Sequence, residues 1–173
     1  IVFLAGHGSD MEGSKALAVE ALANRHKIPF LRFDYFGHGR SDGDFLEGNL
    51  SRWLADCTAM LDGLTKGPQI LVGSSLGGWL MLLCALQRKS RIAGLVGIAA
   101  APDFTRTLIW DELGPARQQQ MKKDGRIALP NPYADEDVIY PYHLIEDGKK
   151  HLLLETEIAL DIPVILHQGM ADE

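Results

Sequence analysis

Residues 69–79, Gln-Ile-Leu-Val-Gly-Ser-Ser-Leu-Gly-Gly-Trp, constrain this chain more than any other stretch. Ile70, Leu71 and Val72 form a short apolar run between Pro68 and Gly73, which predicts a buried strand. From Leu76 the chain is almost wholly apolar until Gln87, Arg88 and Lys89, which predicts a buried helix with cations in its last turn. Between them, Gly73-Ser74-Ser75-Leu76-Gly77 matches G-x-S-x-G, and the strand–turn–helix context separates a nucleophile elbow from a chance match. A serine hydroxyl is a weak nucleophile and must be presented with little obstruction. A sharp turn puts Ser75 at its apex in a strained backbone conformation, with Ser74 pointing away. Gly73 and Gly77 lack side chains, so strand and helix can approach closely there. The helix start offers unpaired N–H groups and a positive dipole end. The N–H of Leu76 is then placed to bind a developing oxyanion. A glycine-rich turn without chemistry would share the letters; the flanking elements favour catalytic use of Ser75.

A chain of 173 residues is one domain with room for a sizeable core. Its 46% hydrophobic and 23% charged residues are ordinary for a soluble globular protein. A net charge of −6 argues against a nucleic-acid or anionic-membrane surface. Cys57 and Cys84 fall in predicted helices and read as buried free thiols, which fits a reducing compartment. No apolar stretch reaches the length of a membrane span, and no signal segment stands out. The chain opens on Ile-Val-Phe-Leu and stops at Met170-Ala171-Asp172-Glu173, so it is read as a piece lacking both ends.

In order, residues 1–5 form an apolar strand, 6–10 a tight turn, and about 12–26 a helix with Leu17, Ala18, Ala21 and Leu22 inward. Residues 30–35 form the second strand, followed by a glycine-rich turn at 37–43. Asn49 caps the next helix, whose apolar face is Leu50, Trp53, Leu54, Cys57, Leu61 and Leu64. The elbow strand and helix follow, then strands at 92–101 and 163–167. Alternating strands and helices, with strands apolar on both faces, predict an α/β fold: a mostly parallel sheet covered by helices on both sides. Ligands of such sheets bind beyond the strands' carboxyl ends. Residues 6–10, Ser75, Asp103 and Asp172 all follow predicted strands and so gather at one edge. Residues 103–161 break the alternation, with helical pieces near 105–122 and 143–154 and no clear strand. This insertion is read as a lid or cap that excludes water and shapes an acyl pocket, against the alternative of a decoration on the domain's side.

Three stretches together resemble the α/β-hydrolase superfamily: the Gly-x-Ser-x-Gly elbow, Asp34-x-x-Gly37-x-Gly39-x-Ser41-x-Gly43, and His167-Gln168-Gly169-Met170-Ala171-Asp172. Residues 8–11, 32–35 and above all 67–80 look like one branch of it. That branch contains the mitochondrial palmitoyl-protein thioesterase, also described as an acyl-glucuronide esterase, and its bacterial relatives. The resemblance implies that Ser75 is the nucleophile and Asp172 the acid that supports the catalytic imidazole. It matches Ala5-Gly6-His7-Gly8 to the family's oxyanion turn, so the backbone N–H of His7 joins that of Leu76 as the second donor. The family's order is Ser, acid, His, which puts the catalytic histidine after residue 173.

None of the six histidines here is favoured as a substitute base. His7 uses its backbone, His38 braces its loop, His167 packs beside the acid, His143 and His151 belong to the lid, and His26 is a surface residue. No histidine pair has metal-ligand spacing with a carboxylate, so no metal is expected. Asp103 rivals Asp172 as the acid, because some members place it there. Asp34 and Asp42 read as turn-holding carboxylates. Trp53 and Trp79 are assigned to the core, and Trp110 and Met11 to the substrate pocket. The expected activity is a serine hydrolase that cleaves carboxylic esters or thioesters of acyl substrates, acylated proteins included, without a cofactor. Its compartment would be the bacterial cytoplasm, or the mitochondrion in a eukaryote. A peptidase or acyltransferase of the same fold is the alternative, as is a non-catalytic ligand-binding module.

Overall fold

The computed structural model describes residues 1–131 and 136–170. In chain order it contains β1 (Val2–Leu4), α1 (Ser14–Arg25), β2 (Leu31–Arg32), α2 (Leu50–Leu64), β3 (Gln69–Ser74), α3 (Leu76–Gln87) and β4 (Ile92–Ile98). Then come α4 (Gly114–Asp124), β5 (Arg126–Leu129), β6 (Val138–Pro141), α5 (Tyr142–Gly148) and β7 (Val164–His167). Five strands form one sheet in the order β2-β1-β3-β4-β7, and every pairing is parallel. Parallel neighbours need crossovers, and α1, α2 and α3 supply them. The elbow strand β3 is the middle strand, so Ser75 leaves the centre of the carboxyl edge.

Local chemistry explains the start and buried face of α2 and the burial of α3. Asn49 is the N-cap of α2, and its side chain accepts the N–H of Arg52 at 2.9 Å. Leu50, Trp53, Leu54, Cys57 and Leu61 are buried at helical spacing. Leu64, expected on that stripe, is instead 64% exposed at the frayed end. Ten of the twelve α3 residues are buried, from Leu76 to Ala85. A helix apolar all round belongs in the interior, where it lies between the sheet and α2. Its expected cationic last turn is not helical: α3 ends at Gln87, and Arg88 turns away to pair with Asp62 at 3.0 Å. Trp53 and Trp79 are fully buried, and both cysteines are buried and free.

Three further sequence expectations fail. The inward face of α1 is Ala16 and Ala23, whereas Leu17 and Leu22 are 43% and 48% exposed. The helix turns its small alanines inward and its leucines toward solvent. Strand β7 pairs with β4 but all four of its residues are exposed, His167 among them, so that histidine does not pack. Finally, the insertion does contain strands: β5 and β6 form an antiparallel hairpin with Ile127 opposite Tyr140. Neither strand shows a clear alternation, which hid them. That segment also holds a π-helical stretch at Thr105–Trp110, 3-10 turns at Asp111–Leu113 and Lys149–His151, α4 and α5. Pro132 and Tyr133 lie outside the described residues. No described helix is long and apolar enough to cross a membrane.

Candidate active site

Ser75 occupies φ 51°, ψ −118°, a conformation that side-chain-bearing residues adopt only when the surroundings enforce it. Three backbone hydrogen bonds do so here. Ser75 N–H donates to Ile98 O at 3.1 Å, and its own carbonyl accepts from Gly78 N–H at 2.8 Å and Ala101 N–H at 3.1 Å. Ser75 is the N-cap of α3, yet its hydroxyl makes no capping bond. Serine at this position ordinarily bonds back to the first turn. With no bond to the first turn, the hydroxyl is left uncommitted among the described residues. Leu76 is the first residue of α3, so its N–H has no carbonyl a turn earlier to bond. The glycines leave no spare room. A Cβ on Gly73 would strike the backbone of Gly77 and Gly78, and one on Gly78 would strike Ala100. Ser74 is buried, as expected for the neighbour facing inward.

The loop after β1 lies directly against this elbow. A Cβ on Gly6 would stand 3.4 Å from the Ser75 Cβ. Ser9 N–H donates to Gly6 O at 3.1 Å and closes the turn. The ring of His7 is boxed by aromatics: Phe45 at 4.7 Å, Tyr140 stacked at 5.4 Å, Phe104 at 5.7 Å and Trp53 at 5.8 Å between centroids. Burial, with the neighbouring His38, pushes His7 down to about 3. Its ring is therefore neutral and packed among those aromatics. Tyr140 comes from β6, so the insertion touches the loop beside Ser75. Nothing in the sequence pointed to Tyr140, because the contact joins elements far apart in the chain.

The remaining candidates fall in different places. Asp103 has φ 59° and is 2% exposed. Its carboxylate accepts the N–H of Leu153 at 2.9 and 3.0 Å and that of Leu154 at 2.8 Å. It is thus a clamp on the returning end of the insertion, fully occupied by backbone donors. Asp103→Ala would orphan two part-buried amides and leave a β-carbon residue at positive φ. Thermal or urea unfolding should show a loss of about 3 kcal/mol, and Asp103→Asn, which keeps an acceptor and tolerates that φ, about 1 kcal/mol. Asp172 lies outside the described residues. Met11 is anchored through its backbone, N–H to Asp34 and O to Arg32. Trp110 packs on Tyr142 at 5.8 Å, with the Lys122 and Lys149 ammonium groups 5.2 and 5.5 Å from its ring. Those neighbours belong to the insertion, and no contact among the described residues joins Trp110 to Ser75. His151 and Asp147 meet Ser51 at 2.8 Å each, and His143 lies 3.2 Å from Gly48 O. These contacts fasten α5 to the start of α2.

A parallel sheet with a strained serine in the turn from its middle strand to a buried helix is the arrangement of the α/β-hydrolase class. The model of the family described as "Alpha/beta hydrolase family" matches residues 1–160. The chain belongs to that family. It is 41% identical over 174 residues to the protein named "Palmitoyl-protein thioesterase ABHD10, mitochondrial" of Rattus norvegicus, covering 100% of this chain and 58% of that protein. The solved structure of alpha/beta hydrolase domain-containing protein 10 from mouse matches with TM-score 0.86 and 38% identity, over 95% of this chain and 66% of that one. A putative hydrolase from Agrobacterium vitis S4 matches with TM-score 0.93 and 39% identity, over 98% and 67%. The chain therefore spans a little over half the length of the rat relative.

Proposed function

We propose that the full-length protein is a serine hydrolase that cleaves acyl esters or thioesters through an acyl-enzyme on Ser75. The carrying observation is a serine at a helix N-cap, held at φ 51°, whose hydroxyl makes no cap. In this reading Ser75 Oγ attacks the substrate carbonyl carbon, and a histidine beyond residue 173 takes the hydroxyl proton. Negative charge moves to the carbonyl oxygen, where the N–H groups of Leu76 and His7 meet it. Each such donor is worth about 3 kcal/mol in comparable sites. The histidine returns the proton to the departing alcohol or thiol, the bond to it breaks, and water repeats the sequence on the acyl-enzyme. Asp172 holds the imidazole tautomer. Residues 103–161 act as the lid, and Tyr140, which reaches His7, supports that role.

The rat relative's name favours thioesters of long acyl chains and, for a eukaryotic owner of this chain, a mitochondrial location. The test is a fluorophosphonate probe on the full-length protein, followed by hydrolysis of matched thioesters and oxyesters. A single adduct on Ser75, with thioesters the better substrates, is expected. An unlabelled Ser75 in folded protein would sink the proposal and favour a binding module.

A further inference from the structure

The turn that follows β2 grips the loop that follows β1 at two separate amides. Gly8 N–H donates to His38 Nε2 at 3.4 Å. Met11 N–H donates to Asp34 Oδ1 at 2.6 Å. Both gripping side chains are themselves fixed. His38 is 3% exposed, and its Nδ1 lies 3.2 Å from Phe36 O. A carbonyl only accepts, so Nδ1 carries the proton and Nε2 is left as the acceptor that Gly8 needs. The second oxygen of Asp34 accepts Arg40 N–H at 2.9 Å, and its backbone carbonyl accepts the Ser41 hydroxyl at 2.7 Å. Gly39, at φ 48°, lies so close to that carboxylate that a Cβ there would overlap it. Arg32 adds a third tie, donating to Met11 O at 2.8 Å.

These ties bear on one particular N–H. The carbonyl of Gly6 and the N–H of His7 share a peptide plane and point in opposite directions. Gly6 O accepts from Ser9 N–H at 3.1 Å, so the position of Ser9 sets the direction of the His7 N–H. Ser9 lies between the two gripped residues, Gly8 and Met11. Gly8 itself, at φ 71°, has no side chain to limit its rotation. The aromatic box holds the His7 ring, and the grip fixes the backbone that follows it, at Gly8 and Met11.

We propose that His38 and Asp34 are positioning residues that clamp residues 6–11 and thereby aim the His7 N–H at the oxyanion. The inference rests on the proposed role of that N–H, and adds the residues that keep it pre-aligned. Their effect belongs to the transition state, because an oxyanion donor is misdirected while substrate binding is left alone.

The test compares His38→Gln, His38→Asn and His38→Leu in the full-length protein, with fluorophosphonate labelling and thermal unfolding measured on each. A Gln amide oxygen can stand near the Nε2 position, whereas the Asn amide is too short to reach Gly8. His38→Leu and His38→Asn should lose about 30-fold in kcat with KM within about twofold, and His38→Gln should recover to within about threefold. Asp34→Ala should follow His38→Leu. A loss expressed in KM, an equal loss in the Gln and Asn variants, or no loss in His38→Asn would overturn the clamp. If His38→Leu does not fold, the Gln and Asn pair decides. Failure of the unsubstituted protein to label at Ser75 would remove the serine hydrolase reading and the clamp with it. Normal labelling and turnover with an indifferent His38→Asn would remove the clamp alone.

Discussion

Ser75→Gly is expected to make the full-length protein more stable and almost inactive, whereas Ser75→Ala should make it inactive at unchanged stability. Both remove the proposed nucleophile, so kcat should fall by about ten-thousandfold or more. Stability separates them. A residue with a β-carbon at φ 51°, ψ −118° stores about 1–3 kcal/mol of backbone strain. Alanine keeps that strain. Glycine releases it, at an entropic cost of about 0.5–1 kcal/mol in the unfolded chain. The net gain is about 1 kcal/mol, a rise of a few degrees in melting temperature. The three hydrogen bonds that hold the turn use backbone atoms and survive both changes. Activity within about tenfold of the parent would dismiss Ser75 as nucleophile. A glycine variant less stable than the alanine one would dismiss the strain.

How much of this was legible in the sequence follows from how local each signal is. The elbow, the Asn49 cap and the stripe from Leu50 to Leu61 depend on neighbours a few residues apart, and all appear as read. The parallel sheet followed from alternation alone. What failed depends on packing between distant segments. The rotation of α1 buries Ala16 and Ala23 instead of Leu17 and Leu22, a choice made by its tertiary surroundings that the pattern of its own leucines does not reveal. The β5–β6 hairpin escapes because its strands gain their order from each other and from the rings around His7 rather than from a two-residue repeat. Asp103 shows the limit most sharply. A carboxylate after a strand is legible as an acid, but its engagement by Leu153 and Leu154, returning from the far end of the insertion, is not. His38 was legible as a brace of its own loop; that it reaches Gly8 was not.

The second large effect is expected at Gly77. A Cβ there would overlap the carbonyl of Leu4 and approach that of Ala5, both backbone atoms at the end of β1. A flexible side chain could swing aside; a strand backbone cannot. Leu4 is opposite Gly73 in the β1–β3 ladder, so relieving the clash means prising apart the two central strands or lifting α3 off the sheet. Gly77→Ala should therefore cost about 4 kcal/mol, at the upper end for overpacking, or prevent folding at 37 °C. Gly63 supplies the contrast. It lies within α2, and nothing stands within 4 Å of a Cβ placed on it. Gly63→Ala should raise stability by about 0.5–1 kcal/mol through helix propensity alone. Urea midpoints of the two variants should move in opposite directions from the parent. A well-folded Gly77→Ala would mean that the approach between α3 and β1 is looser than described. The Leu76 N–H, carried on that same first turn, would then have no rigid platform from which to meet a developing charge.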